Sequence, residues 1–327
     1  MLRPELGSRS DLGVRLHNAE SRALNWVRQH LHYFNPLLHA NARRFNFALK
    51  AVAELAILCD VAISHSRDAA TTEAYRNLAS YLWSEVFCQA ALQDHLLTGE
   101  VGLLTAGIYG SLRQCGYEDH EYRLGLSRLL QEGYISAVER LPHRELDYIY
   151  SLWRAGFPSS ENLIKDAYRR TLLARHPRLY PLTTDDVYGI THVIFFVTGF
   201  GLMEPSCFTL DDLNYFRLAL PRLLQFYLRK GNWDLASELL ITIQDTKVQA
   251  DPVYDDAWFV LSSSQHDNGS YSASAAGNNE EASEERDDDD NDTNGPTEFS
   301  SSMPDWATFR DNYHTTLLML TASLALR

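Results

Sequence analysis

The chain has 327 residues, 45% apolar and 11% aromatic, enough for a substantial core in one large or two medium domains. Its net charge of −14 is unevenly placed: residues 263–304 hold eleven Asp/Glu and one Arg, against 32 acids and 28 bases elsewhere. No basic stripe marks a nucleic-acid partner, and no apolar window of about 18 residues marks a membrane span.

The opening Met1-Leu-Arg-Pro-Glu-Leu6 lacks the apolar core of a secretory signal, which makes a cytoplasmic protein the expectation. Apolar residues at a 3.6-residue period predict helices over 11–32, 41–64, 71–96, 101–115, 120–135, 143–155, 160–174, 184–199, 210–229, 233–245, 254–262 and 305–326. Gly or Pro stands at many of the joints, as at Pro36, Gly99, Gly116, Pro158 and Gly231. The expected fold class is therefore all-α: a single domain of about a dozen helices over 1–262 and 305–327, built as an α/α toroid or a curved α-hairpin array. Cys59, Cys88, Cys115 and Cys207 lie far apart with no Cys-x-x-Cys pair, so buried free thiols are expected.

In the second helix Lys50 and Glu54 are one turn apart, and Glu54 shares its face with Phe47, Ile57, Leu58 and Val61. A carboxylate there must be paired or raised in pKa, so the pair is read first as a buried ion pair and second as catalytic. In Pro142-His-Arg-Glu-Leu-Asp-Tyr148, Arg144 and Tyr148 share a face and form a candidate substrate-binding pair. Arg144 can grip a carboxylate or phosphate with its fork, or partner Glu54 or Asp185.

The helix over 184–199 carries Asp185, Tyr188 and His192 at i, i+3 and i+7, with Val187, Ile190, Ile194 and Val197 opposite. Such a helix can pack outward and present an acid, a phenol and an imidazole to a cavity. On the structural reading Thr183 or Thr184 caps the helix, Asp185 and Asp186 answer its dipole, and His192 is a satisfied core histidine. Further on, Thr209-x-x-Asp212 reads as a capping box. Residues 263–304, rich in Ser, Asn, Asp, Glu and Gly, are expected to form a disordered acidic insert. The last helix pairs Asp311 with His314 three residues on, an arrangement that suits a general base, and its run Leu317-Leu-Met-Leu320 must dock back on the core.

Asp287-Asp-Asp-Asp-Asn-Asp292 looks like a diphosphate-binding acid cluster, but no apolar helix surrounds it. There is no His-Glu-x-x-His, Gly-x-Ser-x-Gly or phosphate-cradling Gly-rich loop, so zincin, hydrolase and nucleotide-binding readings are demoted. No metal site is assigned, although two His and two acids could hold one as a minor option without a close ligand motif, and the cofactor is unknown.

Several blocks together resemble an uncharacterised family of all-helical bacterial proteins met among specialised-metabolite genes. They are Ala23-Leu-Asn-Trp26, Phe34-Asn-Pro36, Lys50-Ala-Val-Ala-Glu-Leu-Ala56, Thr184-Asp-Asp-Val-Tyr-Gly-Ile-Thr-His192, Thr198-Gly-Phe-Gly201 and Asn312-Tyr-His-Thr-Thr-Leu317. The resemblance implies that the two His segments share one site, and a role in tailoring a secondary metabolite. The resulting expectation is an enzyme with a small-molecule substrate and His/acid general acid–base chemistry, of cyclisation or elimination type. His192 or His314 would act as base, with Asp185, Tyr188, Asp311 and Glu54 beside them. The alternative is a non-catalytic helical scaffold that binds a protein partner.

Overall fold

The computed structural model describes residues 9–39, 41–66, 68–93, 99–133, 137–249, 252–275 and 306–324. Within them lie thirteen α-helices: α1 (Arg9–Gln29), α2 (Ala42–His65), α3 (Ala69–Tyr81), α4 (Ala90–Gln93), α5 (Gly99–Gln114), α6 (His120–Gln131), α7 (Pro142–Arg154), α8 (Glu161–Arg170), α9 (Thr184–Thr198), α10 (Leu210–Lys230), α11 (Trp233–Asp245), α12 (Val253–Ser263) and α13 (Trp306–Leu324). The only β pairing among the described residues is one isolated bridge between Asn232 and Ser274. The fold is all-α.

Helix boundaries follow local chemistry. Thr183 and Thr209 each start a helix through a reciprocal capping box, with Asp186 and Asp212 as the returning acids. Asn41, Asp68, Asp119, Ser160 and Asn232 cap with single side chains. Gly199 and Gly231 end α9 and α10 in the left-handed conformation that a β-carbon disfavours. The helix expected over 71–96 is broken instead: α3 stops at Tyr81 and a π turn, Leu82–Phe87, follows. The wider turn lets Leu82, Val86 and Phe87 all point inward while Trp83 stacks on Phe87 and Tyr117.

Six helices contact one another in sequence: α2 with α5, α5 with α7, α7 with α9, α9 with α11, α11 with α13, and α13 again with α2. Five others pack on these, α3 on α2, α8 on α7, α10 and α12 on α11, and α1 on α13. Gly110 makes the α5–α7 contact possible, because an added Cβ would lie 2.9 Å from the Ser151 carbonyl oxygen and 3.0 Å from the Ala155 nitrogen. The last helix docks as its apolar run requires. Phe309 stacks against Trp26 and meets Tyr33 and Phe34 at centroid distances of 5.0 and 4.9 Å, fixing α13 to the N-terminal segment.

Part of the segment expected as a disordered insert is ordered on the helices. Residues 264–275 are packed: Gln265 donates to the Ala19 carbonyl at 2.7 Å, the Tyr271 amide to Thr316 Oγ1 at 2.9 Å, and the Ala273 amide to the Asp311 carbonyl at 3.2 Å. Ser270 and Tyr271 are buried, because this strap carries the few core-forming groups of an otherwise polar stretch. The acidic run over 276–305 lies outside the described residues. Gly269, at φ +97°, runs so close to α1 that a Cβ would sit 2.4 Å from the Arg22 carbonyl oxygen. Gly269→Ala is therefore expected to cost about 2 kcal/mol from backbone strain and the clash together, read as a shift of the urea midpoint. An unchanged midpoint would show that the strap does not seat on α1.

Of the four cysteines, all free, Cys59 and Cys207 are buried as expected and Cys115 partly so, but Cys88 is exposed beyond the π turn. No described helix is long and apolar enough to cross a membrane.

Candidate acid–base site

Three helices are enclosed on every side but one. From Ala48 to Ala62 every residue of α2 is buried except Lys50, Glu54 and Ile57. From Val187 to Gly199 the same holds except for Tyr188, Gly189 and His192, and from Asn312 to Leu324 except for His314 and Thr321. The exceptions recur at helical spacing, so each helix bares one narrow stripe. Such a stripe is where an otherwise enclosed helix meets accessible space, and here most of the stripes are polar. Lys50 keeps 59% of its side chain accessible although Leu49, Ala51 and Val52 beside it are fully buried, so solvent enters at that end.

His314 is the hub. Its Nδ1–H donates to Asp234, 2.8 Å from Oδ1 and 3.0 Å from Oδ2. Asp234 also accepts from Thr315 Oγ1 at 2.7 Å and from the Tyr188 hydroxyl at 2.8 Å. On the other side of the ring, Nε2 lies 3.7 Å from Glu54 Oε1 and 3.8 Å from Glu238 Oε1, beyond hydrogen-bond reach of both. Glu238, only 1% accessible, is held by the Thr191 hydroxyl through its other oxygen. One imidazole is thus oriented by a buried carboxylate and presents its second nitrogen to two more.

These placements drive protonation states apart. Burial alone would lower the pKa of His314, but Asp234 and Glu54 raise it to about 9, so the ring carries its proton at neutral pH. Burial raises Asp234, yet His314 and the three donated hydrogen bonds hold it at about 2. Glu238 is pushed by burial, with help from Asp234, to about 7. His192 goes the opposite way: burial, then the Arg144, His314 and Lys50 cations, lower it to about 3. Its Nδ1–H donates to the Tyr188 carbonyl at 2.8 Å, so the neutral ring has its lone pair on Nε2. Tyr188 joins the two histidines, its carbonyl bonded to one and its hydroxyl to the carboxylate that holds the other.

His192, His314, Tyr188 and Glu54 therefore come together as the sequence suggested, and Lys50 stands 3.8 Å from Glu54. Rather than a closed buried ion pair, this contact is loose and half open to solvent. Arg144 comes within electrostatic reach of Lys50 and His192, while its direct partner is Asp147 at 3.7 Å instead of Glu54 or Asp185.

Three candidates lie elsewhere. Asp185 is exposed in the first turn of α9, where the helix dipole favours an acid but the neighbouring helices no longer enclose the chain. Asp311 is exposed and pairs with Arg310 at 3.4 Å, one turn nearer the open start of the helix, while His314 Nδ1 is held by Asp234 instead. Tyr148 stacks under Arg140 at 4.7 Å instead of joining Arg144, and burial raises its pKa to about 12.

Sequence reasoning missed Asp234 and Glu238. The signal was present: two acids at i and i+4 in Trp233-Asp-Leu-Ala-Ser-Glu-Leu-Leu-Ile-Thr-Ile243, a segment otherwise apolar enough to be buried all round. An acid one turn from a helix start is easily assigned to capping, which hid the pair. Asp234, Glu238 and His314 also offer ligand atoms within 4.8 Å of one another, a donor set that can hold a divalent cation. In the geometry described, His314 Nδ1 and Asp234 are occupied by each other, and Lys50 adds a competing positive charge. That pattern fits a proton-carrying network better than a metal centre.

No curated protein and no solved structure gives a significant match to the chain. A family model does, over residues 20–324, which takes in all four helices that form the site, α2, α9, α11 and α13. The chain belongs to the family described as a domain of unknown function, DUF6895.

Proposed function

We propose that the protein is an enzyme that moves protons on a small-molecule substrate in the space bared by α2, α9 and α13. The observation that carries this reading is His314, anchored by Asp234 on Nδ1, with Nε2 turned toward Glu54 and Glu238 and in hydrogen-bond contact with neither. In this reading His314 is the proton donor through Nε2–H, and Glu238, poised near neutrality, resupplies the proton. His192 accepts a hydrogen bond from the substrate at Nε2, and Tyr188 keeps both rings in place. His314 thus serves as acid where the sequence alone suggested a base. Asp234 does the orienting, as a positioning residue.

The contact circuit α2–α5–α7–α9–α11–α13 supports an α/α toroid with these six helices as its inner wall, which would enclose the site. An enclosed acid–base pocket suits a cyclisation or elimination, and a setting in bacterial specialised metabolism rests on the resemblance of the sequence blocks alone. The converging polar stripes favour catalysis over the scaffold reading, in which both histidines would be packing residues.

The test is metabolite profiling of the native host carrying His314→Gln or His192→Gln at its chromosomal locus. The expected result is loss of one product with accumulation of its precursor in the His314 variant, a fall of about 10²-fold or more, and a smaller loss in the His192 variant, both proteins remaining folded. An unchanged profile in the double variant would rule the enzyme out.

A further inference from the structure

A second site lies at the opposite ends of the same helices. A cavity of about 150 Å³ is lined by Val61 and His65 of α2, Phe200 and Gly201 just after α9, Gln244 and Asp245 of α11, and Thr321 and Leu324 of α13. His314 and its partners occupy the first halves of these helices and the cavity their last residues, so α2, α9, α11 and α13 run parallel and bring four C-terminal ends together.

Asp245 is out of place there. The C-terminal end of a helix carries partial negative charge and favours a cation, and Asp245 is the last residue of α11. No cation is paired with it among the described residues: its hydrogen bond is from Thr198 Oγ1 at 3.3 Å, and the ammonium of Lys247, itself a lining residue, is turned to Glu204. Burial lifts its pKa to about 7, as befits a carboxyl without a counter-charge.

Two further observations point to something bound. The side-chain oxygen of Gln244 is buried with no hydrogen-bond partner, while its amide nitrogen is fixed by the Tyr254 hydroxyl at 2.9 Å and the Ala322 carbonyl at 3.0 Å. The rim is built from three successive left-handed residues, Gly199, Phe200 and Gly201 at φ 56°, 55° and 78°. Such backbone is costly for Phe200 and is held by His65, whose Nε2–H donates to the Phe200 carbonyl at 3.2 Å. Gly201 is required at the wall, because a Cβ would lie 2.9 Å from Asp245 Oδ1.

We propose that this cavity binds a small protonated amine, with the Asp245 carboxylate and the Gln244 side-chain oxygen as acceptors. Val61, Phe200, Ile241 and Leu324 supply apolar walls for a short alkyl chain. A bare alkali ion would find too few oxygens and too much hydrocarbon. The ammonium satisfies in one step the uncompensated carboxyl, the unpaired amide oxygen and the negative ends of the helices. The inference is independent of His314, so the two readings fail separately.

The experiment is calorimetric titration and thermal melting of the full chain with ethylammonium chloride at millimolar concentrations, against ethanol, potassium chloride and tetramethylammonium chloride. Saturable binding of ethylammonium alone is expected, with a raised melting temperature. Asp245→Asn should weaken binding by roughly tenfold or more while leaving the unliganded protein at least as stable as wild type. No saturable response to ethylammonium, or an equal response in the Asn variant, would overturn the proposal. Saturation by potassium or tetramethylammonium in its place would overturn the assignment to a small amine, and this arm needs no variant.

Discussion

Asp234→Asn should cost roughly 3 kcal/mol of folding stability and lower the His314 pKa from its value of about 9. The carboxylate is buried and receives His314, Thr315 and Tyr188 together, and the Asn oxygen offers neither its charge nor its second acceptor. With Asp234 neutral, Glu54 is left to oppose the burial that favours the uncharged ring.

The same substitution changes how stability depends on pH. A folded-state pKa above the unfolded one means that the contribution of His314 is complete below about 6.5 and is lost as pH rises through about 9. Glu238, raised from 4.5 to about 7, acts with the same sign over a lower window, since the folded protein holds that proton more tightly. His192, lowered to about 3, has the opposite sign, but its window closes at 6.5. Between pH 7 and 9.5 the His314 contribution to wild-type stability should therefore fall by about 2 kcal/mol, and the slope should be shallower by about that amount in Asp234→Asn. Urea unfolding at three pH values, with an NMR titration of the His314 ring, measures both effects. An His314 pKa that stays near 9 in the variant would disprove the anchoring role of Asp234.

Arg154→Met should be the most destabilising single change outside the site, at about 3–5 kcal/mol. Arg154 Nε donates to Asp60 Oδ2 at 2.9 Å and its terminal nitrogen to Oδ1, a two-pronged pair between α7 and α2 whose Asp60 side chain is 0% exposed. Removing the guanidinium leaves that carboxylate in apolar surroundings, where burial already raises its pKa against the pull of Arg154. It also removes the cation from the faces of Trp153 at 5.1 Å and Tyr150 at 6.0 Å. In the double variant Asp60→Asn/Arg154→Met no charge is stranded, so it should unfold at a higher urea concentration than Arg154→Met alone. A double variant as weak as the single would show that the loss comes from packing of the Arg154 stem instead of the stranded charge.

The sequence was most legible where a local rule decided the outcome. Thr183 and Thr209, each with an Asp three residues on, start their helices as read, because capping is settled within one turn. The polar stripes on α2, α9 and α13 were visible as Lys50–Glu54, Tyr188–His192 and His314, since an isolated ionisable group in an apolar helix stands out by periodicity. Asp185 and Asp311 show the limit. Spacing puts both on a helix with a histidine, but only neighbouring helices determine which side of that helix is enclosed, and both acids fell outside. Composition likewise misjudged residues 264–275, where a polar strap satisfies its backbone on α1, α11 and α13.

By itself, then, the sequence determined the all-α class, most helix boundaries, and the two histidine segments as the places where chemistry can sit, because periodicity, caps and burial of ionisable groups are short-range. Only the tertiary structure decided the pairings. His314 meets Asp234, 80 residues away, and Arg154 meets Asp60 across 94. Asp245 has no counter-charge among the described residues, where four helices end around one cavity. Charge and desolvation depend on distance in space, and the packing of helices far apart in the chain sets that distance.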